Sequence, residues 1–240
     1  MSKPQLLCLP FAGAGASFFN EWKPIAERLD VIAVQLPGRE KRFCEPCYTD
    51  VFEATAGLVD EIPELIDPER GVVVFGHSLG AVLAYELTHA LVRKGSFRVI
   101  GLAVSGSPDP WTPRKERATG LSDEEFLVRV SQFAGYTHSA LEDPLMRELL
   151  LPTLRADVEM HEKYMARTDA PLEVPILMIR GDEDELISSE QLLGWMRATR
   201  ADARAESLPG GHMYLTERPK ELLRLIEQRF LWCASEESME

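Results

Sequence analysis

Gly76-His77-Ser78-Leu79-Gly80 is the stretch of this chain whose residue types and spacing carry chemistry. A serine hydroxyl becomes a nucleophile when a base takes its proton and a carboxylate holds that base in the right tautomer. His212, after Pro209-Gly210-Gly211, is the candidate base. His77 precedes the serine in a tight turn and should project away from it. His89 falls mid-helix, and His138 and His161 lie in a helical stretch, where helix-surface or pocket-wall roles account for them. The candidate acid comes from Asp182, Glu183, Asp184 and Glu185, which crowd one turn. Attack on a carbonyl also creates an oxyanion, and losing one of the N–H donors that receive it costs about 3–4 kcal/mol. The backbone of Leu79 is one candidate donor. Ala12, beside Phe11 in the small-residue run Pro10-Phe11-Ala12-Gly13-Ala14-Gly15-Ala16, is the other.

These groups meet only if the elements around them form an open sheet. Val72-Val73-Val74-Phe75 reads as a buried strand, and the run from Ala81 to Arg93 as a helix that stops at Gly95. A serine between them sits on a sharp strand-to-helix turn, where a side chain at either flanking glycine would collide with a neighbour. Strands are also expected at Gln5–Leu9, Val31–Val34, Val99–Val104, Pro175–Ile179 and, more weakly, Ala203–Leu208. Helices are expected over about Phe18–Leu29, Thr49–Ile66 (with Pro63 near its end), Glu190–Ala198 and Pro219–Leu231. This β-α alternation predicts a mostly parallel sheet of about six to seven strands flanked by helices. Active sites of such sheets lie at the carboxyl ends of the strands. Asp184 and His212 follow the last two strands in the order serine, acid, histidine, and Gly181-x-x-Asp184-x-x-Ile187 has the spacing usual for the acid. Asp182 and Glu185 then read as solvated turn carboxylates.

From about 111 to 170 the alternation stops. Ser122-Asp123-Glu124-Glu125 reads as a capping box opening a helix. Asp143–Leu151 is helical, is expected to break at Pro152, and resumes through Leu154, Val158, His161 and Tyr164. The expected organisation is one domain over 1–240, with a core of about 5–110 and 171–232, a helical lid of about 111–170, and a disordered tail of about 235–240. Phe11, Phe126, Phe133, Met146, Tyr164 and Met213 are candidate walls of a substrate pocket.

A net charge of −13 argues against nucleic acid and anionic membrane surfaces as partners. No signal-like or membrane-spanning run is present, so a cytoplasmic protein is expected. Cys44 and Cys47 form a C-x-x-C in a proline-containing loop without a second Cys or His pair at ligand spacing, and no metal is expected.

The motifs resemble those of the α/β-hydrolase superfamily and, within it, the type II thioesterases that accompany polyketide synthases and nonribosomal peptide synthetases. The resemblance spans nearly the whole chain. Pro10-Phe11-Ala12-Gly13, Leu36-Pro37-Gly38-Arg39, Leu121-Ser122-Asp123, Leu151-Pro152-Thr153-Leu154-Arg155-Ala156-Asp157 and Gly210-Gly211-His212-Met213-Tyr214-Leu215 carry it together with the serine elbow. It implies hydrolysis of acyl thioesters from the phosphopantetheine arm of acyl or peptidyl carrier domains, with Ser78, Asp184 and His212 as the triad and no cofactor. Members often carry an additional N-terminal strand, so the Val31 strand is expected at a sheet edge. The same triad would serve a small-molecule carboxylesterase, and a non-catalytic receptor could reuse the pocket. A monomer is expected. Carrier domains are themselves acidic, so docking would rest on a local basic patch, with Arg39, Lys41 and Arg42, Arg93, Lys94 and Arg98, or Arg114, Lys115 and Arg117 to supply it. The last of these is favoured because it opens the lid.

Overall fold

The computed structural model describes residues 2–114, 117–134 and 141–231, the side chains of 133 and 134 excepted. Lys115, the Phe133 side chain, His138 and the tail from 235 to 240 lie outside the described residues.

Six strands form one parallel sheet: β1 (Gln5–Leu9), β2 (Asp30–Ala33), β3 (Val72–His77), β4 (Val99–Ser105), β5 (Ile176–Gly181) and β6 (Ala203–Leu208), in the order β2-β1-β3-β4-β5-β6. The Val31 strand is an edge, as expected. Around the sheet run α1 (Val51–Leu65), α2 (Leu79–Lys94), α3 (Asp123–Ala134), α4 (Pro144–Lys163), α5 (Ser189–Leu193), α6 (Tyr214–Glu217) and α7 (Pro219–Leu231). Both sheet faces are covered, which is why the central strands read as near-continuous apolar runs. Alternate residues nonetheless go to opposite faces. Leu7, Val72, Val74, Leu102 and Ile176 pack with Leu58 of α1 and Leu83 and Leu87 of α2. Leu6, Val73, Phe75, Leu177 and Ile179 pack with Phe19, Trp22 and α7. Helix α2 ends where glycine permits: Gly95, at φ 67°, donates its N–H to Leu91 and Val92.

Three elements depart from the sequence reading. The helix expected over Phe18–Leu29 is a 3-10 run, Ala16–Glu21, followed by turns. Pro24 lacks the N–H that an α-helix would bond to Asn20, and its ring would crowd that carbonyl. The segment instead turns through three-residue bonds such as Trp22 N–H to Phe19. The helix expected over Glu190–Ala198 is α5 followed by a 3-10 turn, Gly194–Ala198, with Gly194 packed against the Asp109 carboxylate. Pro152 does not break its helix, because α4 runs through it from Pro144 to Lys163. Leu151, Thr153 and Leu154 on either side are buried, and that packing offsets the missing hydrogen bond.

The helices α3 and α4 fall between β4 and β5, where the insertion was expected. The capping box of α3 is made: Ser122 donates from N and Oγ to Glu125 Oε2 at 3.1 and 2.8 Å, and Glu125 N–H returns to Ser122 Oγ at 3.4 Å. Phe126, Leu151 and Leu154 form a separate apolar cluster against which Ala12 packs.

Candidate active site

Ser78 caps the N-terminus of α2 at φ 53° and ψ −115°, a conformation that side chains rarely adopt. The two glycines make that turn possible. A Cβ on Gly76 would overlap the Gly80 carbonyl, and one on Gly80 would stand 2.5 Å from the Leu9 carbonyl oxygen. Sequence sterics therefore set the elbow, and the same contact draws the end of β1 against it. Leu9 pairs with Gly76 across the sheet, so the loop containing Phe11 and Ala12 emerges beside Leu79.

Asp184 and His212 come from the loops after β5 and β6. His212 Nδ1 and Asp184 Oδ2 are 2.9 Å apart, with both residues buried. The two loops are laced together: Asp182 Oδ1 accepts from Gly210 N–H at 2.9 Å, and Glu183 N–H donates to the Gly210 carbonyl at 3.0 Å. Gly181 touches the Gly210 and Gly211 carbonyls closely enough that no Cβ would fit. Asp182 is thus exposed, as read, but it also fastens the histidine loop. The other Asp184 oxygen accepts the N–H groups of Leu186 at 2.9 Å and Ile187 at 3.2 Å. Burial pushes this carboxyl up, and the His212 contact and the two amides outweigh it, so Asp184 is held below the usual aspartate range.

His212 is placed against the elbow. Its ring lies 4.8 Å from that of His77, the residue before Ser78. Its Cε1 stands 3.1 Å from where a Cβ of Gly106 would be, and the preceding residue, Ser105, receives the Ser78 N–H at 2.8 Å. His77 itself is a buried member of the layer behind His212. Its Nδ1 meets Ser105 Oγ at 2.8 Å, and that hydroxyl meets Tyr214 Oη at 2.7 Å. Burial, then the neighbouring His212 and Arg114, hold His77 well below the usual histidine range. Ser105 and Tyr214 were missed from sequence. Only Tyr214, two residues after His212, carried a local signal.

The candidate pocket residues separate. Phe126 is buried in the cluster that touches Ala12. Phe11 stands edge-on to the His77 ring at 6.1 Å, and Met213 is half-buried on the same side of the sheet. Met146 is exposed on α4, outside that cluster. Tyr164 lies elsewhere: its hydroxyl donates to Glu86 Oε1 at 2.7 Å and its ring packs near Phe52. Glu86 and Phe52 line a groove of about 500 Å³ between α1 and the second half of α2, which none of Ser78, Asp184 and His212 lines.

Of the favoured basic cluster, Arg117 is exposed, Lys115 lies outside the described residues, and Arg114 alone is seen to face inward. Arg114 turns its guanidinium inward, where Nη2 meets His161 Nε2 at 2.7 Å. Burial pushes Arg114 down to about 10, against the pull of Glu162 and Asp184. Arg39 is paired with Asp157 in the interior, and Arg42 is held by Glu45 and Glu61. Internal partners thus occupy Arg39 and Arg114, and surface carboxylates hold Arg42.

A parallel six-stranded sheet, a serine at a positive-φ elbow, an acid and histidine after the last two strands, and a helical insertion after β4 define an α/β-hydrolase fold. Residues 4–230 match the model of the thioesterase domain family, and the chain belongs to that family. It is thus an enzyme of thioester hydrolysis. The gramicidin S biosynthesis protein GrsT of Aneurinibacillus migulanus is 32% identical over 227 residues, 94% of this chain and 88% of that protein. Thioesterase PikA5 of Streptomyces venezuelae is 32% identical over 234 residues, 96% of this chain and 82% of that protein. The solved structure of RedJ, a thioesterase from the prodiginine biosynthetic pathway in Streptomyces coelicolor, is 30% identical with a TM-score of 0.85, covering 93% of this chain and 89% of that one.

Proposed function

We propose that this chain is an editing thioesterase that frees phosphopantetheine arms of carrier domains from stalled or aberrant acyl groups, with Ser78, His212 and Asp184 as its triad. The His212–Asp184 contact at 2.9 Å, set against the Ser78 elbow, carries the reading. Relatives named for gramicidin S and prodiginine biosynthesis support the carrier-bound substrate.

Ser78 Oγ attacks the thioester carbonyl while its proton passes to His212 Nε2, the ring nitrogen that Asp184 leaves free. Asp184 stabilises the imidazolium. The carbonyl oxygen, now an anion, is received by the N–H groups of Leu79 and Ala12. Collapse breaks the C–S bond, and the departing sulfur takes the proton from His212. Water then attacks the acyl-serine, giving its proton to His212, and the second collapse returns that proton to Ser78 Oγ. The products are a carboxylic acid and a free arm thiol. No step needs a metal or a cofactor. A cytoplasmic setting and a monomeric state go with this reading.

Ser78→Ala should abolish turnover of acyl thioesters with the melting temperature preserved. For the wild type, catalytic efficiency should be higher when the acyl group is presented on a carrier domain than on a small thiol. Equal efficiency on both would overturn the carrier assignment in favour of a small-molecule esterase. Turnover retained by Ser78→Ala would overturn the triad.

A further inference from the structure

Asp157 is a fully buried carboxylate on the lid helix α4, and both of its oxygens are engaged. Arg39, from the loop after β2 and 118 residues away in sequence, meets it with Nη1 on Oδ2 at 2.6 Å and Nη2 on Oδ1 at 2.7 Å. The pair also grips the backbone of the loop after β1. Asp157 Oδ2 accepts the Gly13 N–H at 2.7 Å, and Arg39 Nη1 donates to the Ala14 carbonyl at 2.9 Å. That loop is a tight turn closed by the Ala14 N–H on the Phe11 carbonyl at 3.0 Å, with Gly13 at φ 78°. The turn's own bond uses the Ala14 donor and Asp157 takes the Gly13 donor. Ala12 N–H, between Phe11 and Gly13, is a donor that neither uses.

The helix α4 is seated on the same loops by neighbouring residues. Thr153 Oγ1 donates to the Gly38 carbonyl at 2.7 Å, and Leu154 Cδ1 lies 3.0 Å from where a Cβ of Gly13 would stand. A buried ion pair is a poor source of net stability, because desolvating two charges offsets their attraction. Its value here lies in where it ends, on two successive residues of the loop beside the serine elbow.

We propose that Arg39 and Asp157 are positioning residues that hold the Ala12 N–H where the oxyanion forms, so that seating α4 on the body completes the catalytic donor set. The inference rests on the reading of Ala12 as an oxyanion donor. It makes the lid helix part of the catalytic geometry as well as a cover. Any opening that carries the second half of α4 away must break the Asp157 contacts and release the Gly13 N–H.

The test uses the full chain and three variants: Asp157→Asn, Arg39→Lys, and the double change Arg39→Met with Asp157→Leu. Removing one partner alone strands a buried charge and can unfold the protein. The paired apolar replacement avoids that, since such exchanges are often neutral for stability. Turnover is followed on an acyl thioester of a small thiol, which avoids carrier docking. Inhibition by a trifluoromethyl ketone analogue, whose adduct with Ser78 bears the oxyanion, reads the donor directly. In the folded double variant kcat should fall by about 10²-fold, as expected for loosened positioning near a reacting centre. KM should stay within about threefold, since a group that acts only in the transition state leaves ground-state binding alone. Affinity for the ketone should fall in parallel with kcat/KM. Unchanged kcat and ketone affinity in a folded double variant would overturn the inference and leave the pair a structural clamp. A rise in KM at constant kcat would overturn it too, since that is loss of substrate binding. Ser78→Ala run alongside separates the two readings. If it abolishes turnover while the double variant keeps full kcat, only the positioning inference fails; if it retains turnover, the site reading fails first.

Discussion

Replacing Asp184 by asparagine keeps the side chain's shape and changes which atom faces His212. The surroundings decide the orientation of the new amide. On one side stand the N–H groups of Leu186 and Ile187, at 2.9 and 3.2 Å, which require an acceptor. The asparagine oxygen goes there, and its NH₂ is left facing His212 Nδ1 across the 2.9 Å gap that the carboxylate now spans. Two donors cannot face each other, so Nδ1 must become the acceptor and the proton moves to Nε2. A ring with its proton on Nε2 cannot accept one from Ser78. The same tautomer error in a serine protease triad lowers kcat by about 10⁴, equivalent to roughly 5.5 kcal/mol on the barrier. Both amide contacts survive in the variant, so the fold should stand. The assay is thiol release from an acyl thioester, with circular dichroism and melting temperature as the check on folding. Asp182→Asn is the control: Asp182 is exposed, and an asparagine there can still accept from Gly210 N–H, so kcat should stay within about threefold. A loss for Asp182→Asn as large as that for Asp184→Asn would refute the acid assignment.

Gly76→Ala should prevent folding, because its Cβ would overlap the Gly80 backbone, whereas Gly211→Ala meets nothing within 4 Å and should leave the melting temperature nearly unchanged. The Glu86 carboxyl is raised by burial, only partly offset by the Tyr164 hydroxyl and two arginines. Its charged form is therefore disfavoured in the folded state, a penalty present above the folded pKa and absent below the unfolded value of about 4.3. Glu86→Gln, which keeps an acceptor for Tyr164, should raise the melting temperature at pH 7, with the gain vanishing toward pH 4; a gain that is the same at both would contradict the assigned cause. Phe126→Ala, in the buried cluster of α3 and α4 residues that touches Ala12, should lower stability by about 3–5 kcal/mol and shift the acyl-length preference. Unchanged preference across a series of acyl thioesters would remove Phe126 from the pocket wall.

What the sequence determined about this protein is what neighbouring residues determine about one another. A buried strand, two glycines that admit the elbow, and a helix stopped by Gly95 are set within 25 residues by sterics and periodicity, and they appear where read. Asp184 and His212 were legible for a related reason: in a parallel sheet, loops after adjacent strands end on one edge, so chain order and loop position suffice to bring them together. Helix ends set by long-range packing were not legible, as Pro152 inside α4 illustrates. Nor was the fate of the charges. Arg39 and Asp157 are 118 residues apart, and only the descent of α4 onto the loops after β1 and β2 makes them partners. Arg114 reads as a surface cation until His161 is brought beside it, and Tyr164 reads as a pocket wall until Glu86 takes its hydroxyl. Local sequence specifies which side chains are able to do chemistry. Which cations are already spoken for, and which aromatic rings stay near the elbow, depends on contacts between segments distant in the chain, and those exist only once the sheet and the helices packed on it are assembled.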